Sequence, residues 1–244
     1  MKISIIIPYY NDTENISKSV SSVLKQSYKN YEILIIDNEL SKQSKKILRE
    51  IKSKSKKIKI LTNNFQKGPG LTRNIGIKKA VGKFCAFLDS DDAWHRNKLQ
   101  FQLKFMNQKN ADISFTSYIG VKKNKKIYEV LAPNFLDYNN LLQACPICCS
   151  SIMIKSEIIK KNLFKNYLTK EDYELWLRLS KKIRFFGIKN KLTYYNVRNK
   201  SLSSMHLNKL TNAFKIYRNL NFSYIMSVIF IIRLYYGAFK KKYL

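Results

Sequence analysis

Acidic residues are scarce in this chain: 16 Asp and Glu stand against 46 Lys and Arg over 244 residues, a formal net charge of +30. After Glu174 no acid occurs at all, while fifteen Lys or Arg follow. Such a field draws polyanions, whether nucleic acid, anionic lipid head groups or diphosphates, unless it is simply a solvated basic surface. Histidine is almost missing, with only His95 and His206. Cysteine is limited to Cys85, Cys145, Cys148 and Cys149, and the single Cys-x-x-Cys spacing has no second pair to complete a zinc site. Packed thiols in a reducing compartment are the expectation. Seven glycines and four prolines leave little material for linkers, and 45% apolar residues with 14 Phe and 16 Tyr imply a globular core. The N-terminal apolar run ends at Ile7, too short for a secretory leader, so a cytoplasmic location is expected.

What is present alternates. Ile3 to Ile7, Ile33 to Ile36, Ile58 to Leu61 and Phe84 to Leu88 are short apolar runs that read as buried strands. Between them, Ile16, Val20, Val23 and Leu24, then Ile47, Leu48 and Ile51, then Leu71 to Ala80 have helical spacing. Strand–helix alternation of this kind predicts a doubly wound, mostly parallel α/β sheet, with ligands at the carboxyl ends of its strands. Pro8, Asp37 and Asp89 all fall at such ends. The second half is less regular. Strands are expected at 113–118, 127–131 and 151–154, a helix at 171–180, and two short β elements at 185–188 and 192–197. One domain is expected through residue 204, followed by a helical tail over 205–244.

Six of the sixteen acids lie in two runs, 87–94 and 171–178. Asp89, Asp91 and Asp92 follow a strand directly, and adjacent carboxylates repel unless something compensates them. A helix cap explains one carboxylate well and three poorly; a hard divalent cation explains them together, since Mg²⁺ takes one or two carboxylates plus substrate phosphates. In the second run, helical spacing places Asp172 on the face of Leu175 and Trp176, pointing inward. An inward carboxylate is costly without a partner or a task. The alternatives are a cap or an ion pair with Arg178.

At these residues the chain resembles the family-2 inverting glycosyltransferases of the GT-A fold, over about residues 1–204. The resembling elements are Ser4-Ile5-Ile6-Ile7-Pro8-Tyr9-Tyr10-Asn11, Ile35-Ile36-Asp37, Gly68-Pro69-Gly70-Leu71-Thr72-Arg73-Asn74-Ile75-Gly76, Phe87-Leu88-Asp89-Ser90-Asp91-Asp92-Ala93-Trp94 and Glu171-Asp172-Tyr173-Glu174-Leu175-Trp176-Leu177-Arg178. The resemblance implies that Pro8, Tyr10 and Asp37 hold the base and ribose of a nucleotide-sugar, and that Arg73 contacts its diphosphate. It implies Asp89 on the ribose, Asp91 as the ligand of Mg²⁺ or Mn²⁺, and Asp172 as the catalytic base. Asp92, Trp94 and Glu171 would lie on the acceptor or leaving-group side. Two departures stand out. Relatives often carry Asp-Asp-Gly-Ser where this chain has Asp37-Asn38-Glu39-Leu40. They also carry Tyr-Arg-x-His where it has Tyr195-Asn196-Val197-Arg198, so Arg198 would replace a histidine as phosphate donor, ahead of Ser201-Leu202-Ser203.

The activity so implied is transfer of a hexose or N-acetylhexosamine, with UDP the favoured nucleotide, to a glycan acceptor that can be polyprenyl-diphosphate-linked, in lipopolysaccharide, O-antigen or capsule synthesis. In the tail, Phe222 to Phe239 is apolar but interrupted by Arg233 and Gly237 and followed by Lys240, Lys241 and Lys242. On a helical wheel Ser223, Ser227, Gly237 and Lys241 form one polar stripe. That pattern predicts an in-plane helix on an anionic membrane, peripheral at the inner leaflet, with a buried or dimer-forming helix as the alternative. Two other classes compete with this reading. A nucleic-acid binder would explain the charge, but no recognition motif supports it and no nucleic-acid partner is expected. A dinucleotide oxidoreductase needs a Gly-rich first turn, which Pro8-Tyr9-Tyr10-Asn11-Asp12 is not. A non-catalytic sugar-nucleotide binder remains compatible with the motifs.

Overall fold

The computed structural model describes residues 1–64, 68–198 and 206–243, with backbone alone at 206, 207 and 238–243. The motif Ser201-Leu202-Ser203, the expected boundary at 204 and the Lys240–Lys242 side chains lie outside the described residues. In chain order the elements are β1 (Ile3–Tyr9), α1 (Ile16–Leu24), β2 (Tyr31–Asp37), α2 (Lys42–Ser53), β3 (Ile58–Thr62), α3 (Pro69–Lys79), β4 (Phe84–Phe87), β5 (Ala93–Trp94) and α4 (Lys98–Gln108). There follow β6 (Ile113–Lys122), β7 (Lys125–Val130), β8 (Phe135–Leu136), α5 (Tyr138–Gln143), β9 (Met153–Lys155), α6 (Ser156–Lys161), α7 (Glu171–Ser180), β10 (Phe185–Asn196), α8 (His206–Asn219) and α9 (Tyr224–Tyr243).

One sheet runs β3-β2-β1-β4-β9-β6-β10-β5, with β7 beside β6 and β8 beside β10. The β3-β2-β1-β4 half is parallel, as the alternation predicts. Beyond it the sheet is mixed: β9 runs antiparallel to both β4 and β6, while β6 and β10 are parallel. Burial on both faces is why the strands read as unbroken apolar runs. Ile3, Ile5 and Ile7 enter one core layer under α1, α2 and α4, and Ile6, Leu34, Ile36 and Phe87 enter the other with α7 and α8. The two short β elements expected at 185–188 and 192–197 are one strand, β10, whose pairing with β6 shifts register between Ile188 and Thr193. That irregularity breaks the apolar alternation, which is why the sequence suggests two pieces. Residues 93–94 pair with β10, so the helix that follows the acidic run starts only at Lys98.

The tail helices pack on the domain. Ala213, Ile216 and Tyr217 of α8 and Phe230 and Leu234 of α9 are buried in the same core as Trp176. Tyr173 and Tyr217 bring their hydroxyls to 2.7 Å, sharing a hydrogen bond beside the Leu141 and Leu142 carbonyls of α5. No described helix is long and apolar enough to cross a membrane.

Candidate active site

The carboxyl ends of β1, β2 and β4 converge with the start of α7. At β1, Pro8 is half-buried, and the Tyr10 ring is exposed, open for stacking on a flat ligand. Asn11 follows in a left-handed conformation, φ 45°, which aims its N–H at Glu39 Oε2 at 2.9 Å. Glu39 therefore ties the β1–α1 loop to the β2–α2 loop. The Asp37 carboxylate is buried and accepts from Ser44 Oγ and from the Glu39 and Leu40 N–H groups. Its oxygens hold the turn into α2, so the acid expected at the nucleotide base fixes the loop that would frame it.

Arg73 on α3 is the centre of the cluster. Its guanidinium donates to Asp89 Oδ1 at 2.5 Å and to Glu171 Oε1 at 2.9 Å, joining residues 98 positions apart. Gly70 makes this possible: a Cβ there would lie 2.7 Å from Glu171 Cγ, so only glycine lets α3 approach the start of α7 so closely. Arg73, expected at the donor diphosphate, is only 3% exposed and holds two site carboxylates. Glu171, expected on the acceptor or leaving-group side, is likewise buried and paired. Burial and the neighbouring Asp172 push the Glu171 carboxyl up to about 7 despite Arg73.

Asp89 keeps a partly exposed carboxylate, and its N–H donates to Ser150 Oγ. Asp91 is accessible beside a cavity of about 830 Å³ whose walls include Asp12, Lys18, Asp91, Lys122 and Arg198. Its carboxyl is pushed up to about 6 by burial and by Asp89, with Arg198 opposing. Asp92 is buried, accepting from Ser150 Oγ and from the Asn196 N–H at 2.8 Å. It bridges the acidic loop to β10 and caps no helix. Trp94, expected on the acceptor or leaving-group side, is buried, its Nε1–H donates to the Ser150 carbonyl at 2.8 Å, and Lys98 Nζ lies 4.1 Å over its ring.

Asp172 sits half-buried in the first turn of α7, its Oδ1 accepting the Tyr173 N–H at 2.7 Å. Burial raises its pKa while Arg73 opposes, which tunes the carboxylate toward accepting a proton. Arg178 does not pair with it; that arginine forks onto Glu174. Arg198, just past β10, closes the cluster by contacting Asp12 Oδ2 at 2.5 Å and Asp91 Oδ2 at 2.7 Å. Burial pushes the Cys148 and Cys149 thiols up, consistent with packing and not with a nucleophile.

Sequence reasoning missed Asp12 and Ser150. Asp12 is buried and accepts from Asn15, Ser90 and Arg198. Its position directly after the first strand motif was a usable signal. Nothing marked Ser150, whose hydroxyl reaches both Asp89 and Asp92. Among the described residues no three His, Cys, Asp or Glu side chains form a metal cage. One accessible, crowded carboxylate does fit a Mg²⁺- or Mn²⁺-type ion that completes its shell with substrate phosphates.

A half-parallel sheet ending in divided carboxylates above a buried arginine defines a GT-A nucleotide-sugar transferase. The chain belongs to glycosyl transferase family 2, whose model matches residues 4–163. It is 38% identical over 179 residues, 73% of this chain and 70% of the relative, to the UDP-Glc:alpha-D-GlcNAc-diphosphoundecaprenol beta-1,3-glucosyltransferase WfgD of Escherichia coli. A second relative, WfaP of Escherichia coli, named for the same activity, is 36% identical over 210 residues, 85% of this chain and 82% of that one. In fold it is similar to S. aureus TarS 1–349 in complex with UDP-GlcNAc, with a TM-score of 0.76 at 20% identity over 96% of this chain and 72% of that one.

Proposed function

We propose that this glycosyltransferase moves a hexose or N-acetylhexosamine from a UDP-sugar, with inversion, to a polyprenyl-diphosphate-linked glycan in surface-polysaccharide synthesis. The observation that carries the reading is Asp172, a half-buried carboxylate of raised pKa next to the Arg73–Asp89–Glu171 cluster. The names of WfgD and WfaP support the donor and the lipid-linked acceptor. In the proposed reaction the acceptor hydroxyl attacks the anomeric carbon as Asp172 takes its proton, and the bond to the nucleoside diphosphate breaks in the same step. Inversion needs no covalent enzyme intermediate, so no Ser or Cys nucleophile is required.

Pro8 and Tyr10 flank the base, with Asp37 shaping that pocket through the Glu39–Leu40 backbone. Asp89 binds the ribose and Arg73 fixes its orientation. Asp91 would hold Mg²⁺ or Mn²⁺, which supplies positive charge opposite the leaving diphosphate. Arg198 contributes a further cation on that side. Because the acceptor is lipid-anchored, the work takes place at the inner face of the cytoplasmic membrane.

The test is a screen of UDP-, GDP- and dTDP-sugars with Mn²⁺ and polyprenyl-diphosphate-linked acceptors, scored by nucleoside diphosphate release and product anomericity. Acceptor-dependent UDP release with inversion is expected; release from none of these donors overturns the reading. Asp172→Asn is expected to lower transfer by at least about a hundredfold while leaving UDP binding near wild type. A fully active variant would remove Asp172 as the base.

A further inference from the structure

The helical wheel of α9 puts its small and polar residues on one stripe, and the expected membrane helix would turn that stripe to water. The structure reverses the arrangement. Ser227 is fully buried, with its hydroxyl donating to the Ser223 carbonyl at 2.8 Å. Gly237 faces α5, where an added Cβ would lie 3.0 Å from Ala144 Cβ. Phe230 and Leu234 complete this inward face. The opposite face is apolar and open: Ile225, Val228, Ile232 and Tyr236, at helical spacing, are 75%, 48%, 62% and 67% exposed, with Tyr224 beside them. The rim is cationic, with Arg233 exposed and Arg218 over the Tyr224 ring. The helix contains no acid.

We infer that this face of α9 is an in-plane docking surface for an anionic lipid bilayer. Contact with α5 and β7 along its inner side holds the helix flat against the domain, so it can enter an interface only side-on. A second copy is the poorer occupant, because a two-fold interface would set one strongly basic chain against another. The face is also close to the proposed base. Lys170, immediately before Glu171 and Asp172, places its ammonium 5.5 Å from the Tyr235 ring of α9 and 5.7 Å from that of Tyr173. Docking there brings the start of α7 to the bilayer, where a lipid-linked acceptor would present its sugar; this part rests on the proposed acceptor.

The test uses the full chain with the doubly charged variant Ile225→Glu/Ile232→Glu. Both positions are exposed, so the melting temperature should hold. Wild type should sediment with phosphatidylglycerol-containing vesicles at low salt and not with neutral phosphatidylcholine vesicles. The variant should lose about tenfold in binding per substituted residue. It should keep UDP binding and transfer to a water-soluble short-chain acceptor, while losing transfer to acceptor embedded in vesicles. Unchanged vesicle binding by the variant overturns the inference, as does a wild-type dimer that the same substitutions dissolve. Vesicle binding without transfer to any acceptor would instead count against the proposed function alone.

Arg198 carries a separate inference. Its guanidinium occupies Asp91 Oδ2 and also neutralises Asp12, whose side chain is 3% exposed. A divalent ion taking Asp91 Oδ2 without donor would displace this arginine and leave Asp12 buried without its cationic partner. The donor diphosphate offers Arg198 another anion. We infer that Arg198 is an exchangeable counter-cation, a positioning residue that couples nucleotide binding to metal binding. The readout is Mn²⁺ affinity, measured by electron paramagnetic resonance with and without UDP, in wild type and Arg198→Gln. UDP should strengthen Mn²⁺ binding by about tenfold or more in wild type, and Mn²⁺ should strengthen UDP binding by the same factor. In the variant Mn²⁺ alone should bind more tightly and the coupling should collapse; Arg198→Lys, which keeps the charge, should fall between. Coupling of equal size in Arg198→Gln overturns the inference. A wild-type protein that binds no UDP would sink the donor assignment as well.

Discussion

Arg73→Met removes the one guanidinium that compensates both Asp89 and Glu171. Breaking a buried ion pair from one side costs about 3–5 kcal/mol, because the remaining charge is left without a partner. Asp89 is 30% exposed in its side chain and recovers part of its hydration, whereas Glu171 is 8% exposed and cannot. The expected loss at pH 8.5 is therefore about 4 kcal/mol, or about 8–16 °C in melting temperature for a chain of this size. Glu171 also sets the pH dependence. Its folded-state pKa, about 7, is above the ordinary glutamate value of 4.5, so the folded protein binds more protons than the unfolded chain between those values. Its contribution is fully favourable below about pH 4.5 and is lost as pH rises through 7. Without Arg73 that pKa climbs further. At pH 5.5 Glu171 is already largely protonated, and the deficit should shrink to about 1–2 kcal/mol, mainly from Asp89. Urea melts of both proteins at the two pH values measure this directly. A deficit equal at both pH values, or below about 1 kcal/mol at pH 8.5, would refute the ion-triad reasoning.

Burial pushes the Lys98 ammonium down to about 7 from 10.5, so the folded state binds fewer protons than the unfolded one between those values and stability should rise with pH across that window. Lys98→Met should abolish that slope, worth up to about 5 kcal/mol, and raise stability at pH 7; an unchanged slope in urea melts would exclude the assignment. Leu40 sits at φ 61°, a conformation costly for a branched side chain. Leu40→Gly should therefore be neutral to about 1 kcal/mol stabilising, where a loss of 2 kcal/mol or more by calorimetry would show that the Leu40 side chain matters more than its backbone. Gly70→Ala should separate α3 from Glu171, lowering stability by about 1–3 kcal/mol and weakening UDP binding by titration calorimetry, whereas an unaffected protein would mean that the close approach has slack.

How much of this was legible beforehand depends on the range of each interaction. Ile3 to Ile7 and Ile33 to Ile36 announce buried strands because each residue's burial follows from its neighbours' periodicity. The carboxylate run after β4 and the Glu171-Asp172 pair mark the site because repelling charges in one short segment demand compensation. Those features nominated Tyr10, Asp89, Asp91, Asp172 and Arg198, of which Asp91 and Arg198 meet on one cavity wall and Asp89 shares Arg73 with Glu171. What compensates the charges is not local. Arg73 belongs to Glu171 across 98 residues, Asp92 to Ser150 and the Asn196 N–H, and Asp12 to Arg198 across 186. A motif can nominate Arg73 and Asp37 for ligand contact, but only the packed chain shows their donors and acceptors already turned inward. The same holds for α9. Its two-faced pattern is written in the sequence, yet which face meets the domain was decided by Gly237 fitting against Ala144 and by Phe230 and Leu234 filling the core beside Tyr217. Periodicity determines that a helix has two sides; the surface it packs against determines which one is left to the outside.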